Sequence, residues 1–305
     1  MLSAAVDSFL AGRRAVGFQL NDHETILHDF ARFATTKGEA LVRTRTVLEW
    51  IRARDGSPLR QRVRLRTVVH FARYLQAEDA RHEVPPNNAC GRHQPCRRPP
   101  FLFTPRQVKA LVREALALGP AGSLQPFVYS TLLGLLASTG LRISEALNLQ
   151  LEDVTSEGLV VRNTKFGKSR LLPLHRTTQK ALDDYLERRY QEAGTCEHLF
   201  LSMKGKKLHK NTVRHVFHRL LQSLGIAGRE DKPRPRLHDL RFYFANQVLT
   251  SSRGDHAGIS RHMVALTTYL GHSDVRNSYW YLEATPKLLS TIAERCEHFV
   301  NGGDR

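Results

Sequence analysis

Cysteine is scarce in this chain. Four cysteines in 305 residues cannot build the disulfide framework on which small secreted folds depend, and a reducing cytoplasm is the expected setting. No run of about 18 apolar residues occurs, so no transmembrane helix is expected. The opening Met1-Leu2-Ser3-Ala4-Ala5 lacks a basic segment followed by a long apolar one, and no secretory leader is expected. There is no internal repeat and no low-complexity block. Carboxylates do not cluster as a magnesium site requires, so neither a metal nor another cofactor is expected. Acidic residues are also few: 29 Asp and Glu face 46 Lys and Arg, a net charge of +17. Such an excess points to a polyanionic partner, nucleic acid first and an anionic membrane second.

A chain of 305 residues can form two modest domains with cores of their own. Residues 1–80 read as a helical domain with almost no strand signal. Asn21-Asp22 can cap a helix that carries Ile26, Leu27, Phe30 and Phe33 on one face. A second helix holds Val47, Leu48, Trp50 and Ile51, and Asp55-Gly56 breaks it. Ser57-Pro58 reads as an N-cap with proline at the first helical position, ahead of Leu59, Val63, Val69, Phe71 and Leu75. The other positions of that helix are basic: Arg60, Arg62, Arg64, Arg66 and Arg73, with Arg43, Arg45, Arg52 and Arg54 before them. Solvated faces usually mix signs, whereas arginine dominates here. Arg43, Arg45, Arg60, Arg64 and Arg66 are therefore expected to touch DNA phosphates. Residues 81–102 read as a basic, proline-rich linker, since Pro85-Pro86-Asn87-Asn88 and Arg97-Arg98-Pro99-Pro100 cannot continue a helix. Cys90, His93 and Cys96, with His82 upstream, have a poor spacing for zinc.

Residues 103–305 read as a second domain. Thr104-Pro105 starts a helix through Val108, Leu111, Val112, Ala115 and Leu116, which Gly119-Pro120 ends, and Phe127 to Ser138 is apolar enough for a buried helix. Gly140 then permits a sharp turn before Arg142. An arginine at a helix start opposes the helix dipole, which suggests a bound anion, a pairing with Glu145, or both. Leu159-Val160-Val161 and Leu171-Leu172-Pro173-Leu174 form a hairpin whose tip, Thr164 to Arg170, carries Lys165 and Lys168 around Gly167. Two more helices fill residues 176–224, and the loop Lys204-Gly205-Lys206-Lys207 between them offers Lys206 and Lys207 to a phosphate. With Lys168, these complete the expected DNA contacts. Farther on, His238 and Arg241 are three apart and share a helix face, beside an apolar stripe of Leu237, Leu240, Phe244 and Val248. His272 follows Leu270-Gly271, and Tyr281 comes nine residues later. After Pro286, the stripe Leu288, Leu289, Ile292, Cys296, Phe299 and Val300 marks a last helix.

A phenol, two imidazoles and guanidinium groups suit nucleophilic attack on a phosphate. Arginine grips phosphate oxygens by paired hydrogen bonds, histidine adds donors, and tyrosine can form a covalent intermediate. In chain order the set is Arg142, Lys165, His238, Arg241, His272 and Tyr281. It resembles the tyrosine recombinases, also called the phage integrase family, through Thr139-Gly-Leu-Arg-Ile-Ser-Glu145, Thr164-Lys-Phe-Gly-Lys-Ser-Arg170, His238-Asp-Leu-Arg241, and Leu270-Gly-His272 with Tyr281. The likeness covers nearly the whole chain, and Tyr279-Trp-Tyr-Leu282 is similar to recombinases carried by transposons and plasmids. Phe242 stands where the family often has His, with an effect expected on packing only, and Thr250 to Thr268 looks longer than in compact members.

The resemblance implies a mainly α architecture with a small antiparallel β-hairpin or sheet. A helical core-binding domain would precede a mixed α+β catalytic domain ending in an exchange helix. It implies a site-specific recombinase acting on double-stranded DNA through a 3′-phosphotyrosine. Four subunits would assemble on two sites, alone or with sister recombinases, in a bacterial cytoplasm at the nucleoid. A type IB topoisomerase, or an accessory protein that binds without cutting, are the alternatives.

Overall fold

A computed structural model describes residues 2–18, 20–91, 98–120, 122–162, 169–192, 196–226, 233–251 and 256–271. It divides into two compact units, Met1–Arg97 and Arg98–Arg305. The described residues are mostly helical with one small antiparallel sheet. Among the described residues no helix is long and apolar enough to cross a membrane.

The described residues of the first unit form four helices: α1 (Leu2–Ala15), α2 (Asn21–Thr36), α3 (Thr44–Arg52) and α4 (Pro58–Glu78). Their apolar residues recur every three or four positions and meet in one core, where Phe30 lies edge-on to Trp50 at 5.4 Å. The start of α2 differs from the expected cap. The residue before the helix is Leu20, in a left-handed conformation with φ of 50° and no side-chain cap. That conformation costs about 1 kcal/mol, which the packing of Leu20 against the core offsets. The start of α4 matches its expectation: the Ser57 hydroxyl accepts from the Arg60 N–H at 3.4 Å, with proline at the first helical position. Leu59 and Val63, however, are 55% and 41% exposed. The buried face is built from Leu65, Val68, Ala72 and Leu75. At 3.6 residues per turn, Leu59 and Val63 point to the far side, and one helix cannot bury both faces against one core.

The stretch from His82 to Cys90 is folded onto this first unit. His82 accepts the Val42 N–H on Nδ1 at 3.0 Å, and the Glu83 N–H donates to the Val42 carbonyl at 2.9 Å. Val84, Ala89 and Cys90 pack against the same core.

In the second unit, α5 (Pro105–Ala115) is opened by a capping box between Thr104 and Gln107. Next comes α6 (Gln125–Thr139), buried on nearly every side, so it forms the axis around which the unit packs. Gly140 ends α6 at φ of 64°, and a Cβ there would sit 2.6 Å from the Phe244 ring. Only glycine meets both demands. After it come α7 (Ile143–Asn148), a 3₁₀ turn (Leu151–Asp153) and the strands β1 (Val154–Thr155), β2 (Gly158–Val161) and β3 (Arg170–Leu172). The sheet runs β1-β2-β3, all antiparallel, and pairs Leu159 with Leu172 and Val161 with Arg170. The two long strands are those expected; β1, two residues long, is too short to leave a periodic signal.

Among the described residues four more helices follow: α8 (Arg176–Glu192), α9 (Lys210–Ser223), α10 (Leu237–Ser251) and α11 (His256–Leu270). The buried side of α10 is Asp239, Leu240, Arg241, Phe242, Ala245 and Leu249. Leu237, Phe244 and Val248 of the expected stripe are only partly buried, because α10 lies between two clusters. Leu240 joins the main core, while Phe242, Ala245 and Leu249 join a smaller one with Met263, Leu266 and Leu270 of α11. Phe242 is thus a packing residue.

Candidate active site

Arg142 is the residue immediately before α7, in an extended conformation with φ of −70° and ψ of 144°. Glu145 holds it twice. The Arg142 N–H donates to Oε2 at 3.0 Å, and its guanidinium donates to Oε1 at 2.7 Å. A second guanidinium reaches the same carboxylate from β3: Arg170 donates to Oε2 at 2.9 Å, and its Nε donates to the Tyr269 carbonyl at 3.0 Å. The Glu145 side chain is only 9% exposed, against 35% for Arg142. Burial would raise the Glu145 carboxyl. The hydrogen bonds from Arg170 and Arg142 outweigh it and hold the group below the usual carboxylate range. Glu145 therefore stays ionised and orients Arg142, as one of the two sequence readings of that arginine proposed.

Arg241 lies on α10 and is 1% exposed. It donates to the Gly140 carbonyl at 2.6 Å and to the Leu270 carbonyl at 2.8 Å. One guanidinium thus ties the end of α6 to the end of α11, and two charge-assisted bonds fix its plane. His238, one turn earlier, is pushed down from the usual imidazole range. Burial is the main cause, followed by the nearby Arg241, against the opposing pull of Asp239, with Arg236 and Arg142 adding to the depression. The three predicted residues Arg142, His238 and Arg241 are thus close enough for both guanidinium groups to act on the imidazole, whose ring remains open to solvent. Asp239 is spent locally: its carboxylate accepts the Arg236 N–H at 2.8 Å and the Arg236 guanidinium at 3.0 Å.

Lys165, Lys168, His272 and Tyr281 lie outside the described residues, as does the terminal stripe from Leu288 to Val300. Among the described residues, no three His, Cys, Asp or Glu are grouped to hold a metal ion.

The expected phosphate contacts sort into two groups. Arg43 pairs with Glu83 at 3.1 Å, Arg45 with Glu49 at 2.9 Å, and Arg64 donates to the Arg54 carbonyl at 3.2 Å. Lys207 donates to the Asn148 side chain at 2.5 Å. Arg60, Arg66 and Lys206 are exposed. Sequence reasoning named Arg66 and Arg73 but missed the neighbours they share, Arg13 and His70. Arg13 and Gly12 of α1 and His70, Arg73 and Tyr74 of α4 line a hollow of about 390 Å³. His70 is pushed down there, first by burial and then by Arg66, Arg73, Arg13 and His23. The signal was present in the order Arg62, Arg66, His70, Arg73, which at spacings of four, four and three shares one helix face.

The phage integrase family profile matches residues 102–287 of this chain. The chain is similar to y4rB of Sinorhizobium fredii, described as an integrase/recombinase, with 36% identity over 302 residues covering 96% of each chain. It is 27% identical to the tyrosine recombinase XerD of Rhizobium meliloti, over 96% of this chain and 95% of that one. Among solved structures it is similar in fold to the site-specific recombinase XerH bound to its palindromic difH substrate after cleavage. That likeness has a TM-score of 0.67 at 17% identity, over 97% of this chain and 85% of the other.

Proposed function

We infer that this chain, which belongs to the phage integrase family, is a tyrosine-type site-specific DNA recombinase. The observation that carries the reading is that Arg142, held by the buried Glu145 carboxylate, and Arg241, held by two backbone carbonyls, both lie close enough to His238 to act on its charge, three groups suited to a phosphodiester. Tyr281 attacks the scissile phosphate and forms a 3′-phosphotyrosine, leaving a free 5′-hydroxyl. Arg142 and Arg241 bind the non-bridging oxygens as charge builds on them. His238, solvent-accessible and held below the usual imidazole range by desolvation and the nearby cations, takes the phenol proton, and His272 adds a hydrogen bond. Lys165 protonates the leaving 5′-oxygen. The phosphotyrosine retains the energy of the broken bond, so rejoining needs no nucleotide. Residues 1–80 act as the core-binding domain, and residues 103–305 as the catalytic domain with an exchange helix at its end. Four subunits assemble on two double-stranded sites, alone or with sister recombinases, at the bacterial nucleoid.

The test is exchange between two DNA sites. A recombinase yields recombinant products and a covalent adduct on a nicked substrate. Relaxation of supercoils with no exchange would indicate a topoisomerase, and binding with no adduct an accessory protein. Lys165→Ala is expected to cleave slowly and to be restored by a substrate with sulfur at the 5′-bridging position, because sulfur leaves without a proton. Restoration of Lys168→Ala instead would move the acid along the hairpin.

Affinity for DNA is expected to fall steeply with salt. Eight phosphate contacts would give a log–log slope of roughly −7. The exposed Arg66 and Arg73 are the better candidates for such contacts, because Arg43 and Arg45 already have carboxylate partners. Arg66→Ala and Arg73→Ala should each flatten the slope by about one. A parent slope near zero would point to another kind of partner.

A further inference from the structure

The sequence gives Arg170 the appearance of an ordinary hairpin cation. Its surroundings are not those of a surface residue: its side chain is 14% exposed, and it reaches two elements besides its own strand. One nitrogen donates to Glu145 Oε2 at 2.9 Å, another approaches Oε1 at 3.4 Å, and Nε donates to the Tyr269 carbonyl at 3.0 Å. Gly271 closes the arrangement. A Cβ there would lie 2.9 Å from an Arg170 nitrogen and 3.1 Å from the guanidinium carbon, on a backbone with φ of 65°. The guanidinium therefore occupies the place a side chain at 271 would need. Arg241 donates to the Leu270 carbonyl, one residue after the carbonyl that Arg170 holds.

We propose that Arg170 is a positioning residue for cleavage, joining the β3 end of the hairpin, the Glu145 carboxylate that orients Arg142, and the Tyr269–Gly271 turn that leads into His272. This rests on the catalytic roles proposed above. The physical argument concerns the carboxylate. With one arginine, a buried Glu145 could swing with Arg142. With a second arginine fixed to the backbone of α11, its two oxygens are held, and so is the Arg142 guanidinium. Lysine cannot replace this grip, because one ammonium group does not present a rigid fork to a carboxylate and a carbonyl together. Loss of the fork would let Arg142 shift, and a misplacement of about 1 Å lowers rates by about 10²-fold.

The experiment measures single-turnover adduct formation on a nicked site at saturating protein, for the parent, Arg170→Met and Arg170→Lys, with melting curves and DNA affinity recorded for each. Both variants are expected to bind the site within about threefold of the parent and to cleave about 10²-fold more slowly. The 5′-bridging sulfur substrate should leave the defect in place, because the fault lies in the clamp rather than in the acid. With Glu145→Gln measured alongside, Arg170→Lys combined with Glu145→Gln should cleave no more slowly than the worse of its two single variants, as expected for two residues acting through one contact. Parent-like cleavage by either single Arg170 variant would overturn the proposal, as would additive losses in the double variant. Full restoration by sulfur would assign Arg170 to the hairpin acid instead, and failure of both single Arg170 variants to fold would assign it to stability alone. A parent that forms no adduct would remove the recombinase reading itself, an outcome distinct from all of these.

Discussion

Tyr281→Phe is expected to bind its DNA site as the parent does and to form no covalent adduct. The substitution removes one oxygen and leaves the ring, so packing and charge are kept while the nucleophile is lost. Removing a covalent nucleophile costs on the order of 10⁶-fold in rate, which places residual cleavage below detection. The rival is Tyr279. Two residues apart, the phenols point about 200° away from each other on a helix and share a face in a strand. Only Tyr281 keeps the nine-residue distance from His272 on which the family likeness rests, and Tyr279→Phe should therefore retain the adduct. Trapping on a nicked site followed by peptide mapping by mass spectrometry decides between them. Phosphate on Tyr279 would reverse the assignment, and no adduct with both tyrosines intact would sink the covalent mechanism.

The fold was legible wherever local chemistry dictates it. The cap-and-proline pairs Ser57-Pro58 and Thr104-Pro105 start α4 and α5 as read, and the run from Phe127 to Ser138 is the buried axis α6. Within the candidate site, the placing of His238 and Arg241 on one helix was legible from their spacing. What escaped was the destination of single cations. Arg170 and Arg189 look like surface residues in a chain with 46 Lys and Arg, yet Arg189 is only 2% exposed and donates to the carbonyls of Cys196, His198 and Leu199. The partners of Arg189, and one of those of Arg170, lie on backbone that any residue could supply, so no side-chain pattern announces them. Leu59 and Val63 failed for the opposite reason. Their types suggested core, but burial depends on which face of α4 meets the other helices, a tertiary fact the local sequence does not contain. Leu20 shows a third case, in which packing overrode the preference for a polar cap.

Arg142→Ala and Arg241→Ala should both lose cleavage, and they should differ in what else they lose. Each side chain is assigned to the phosphate oxygens, where loss of one preorganised donor costs about 10²–10³ in rate. Arg142 is partly exposed and tied to Glu145, which keeps Arg170 when Arg142 is removed. Its alanine variant should therefore melt within a few degrees of the parent. Arg241 is almost fully buried, and its removal strips a donor from the Gly140 and Leu270 carbonyls together. Each buried acceptor left unpaired costs about 1–3 kcal/mol, and at about 2–4 °C per kcal/mol for a domain of this size the melting temperature should fall by several degrees or more. Arg241→Lys should recover part of that stability, because an ammonium can still reach a carbonyl, but not the cleavage, because it cannot present a planar fork to phosphate. Melting curves and single-turnover cleavage measured on the same preparations test both halves. Near-parent cleavage by Arg142→Ala would remove that residue from the catalytic set. Equal melting temperatures for the two alanine variants would mean that the carbonyl bonds of Arg241 do not hold α6 and α11 together.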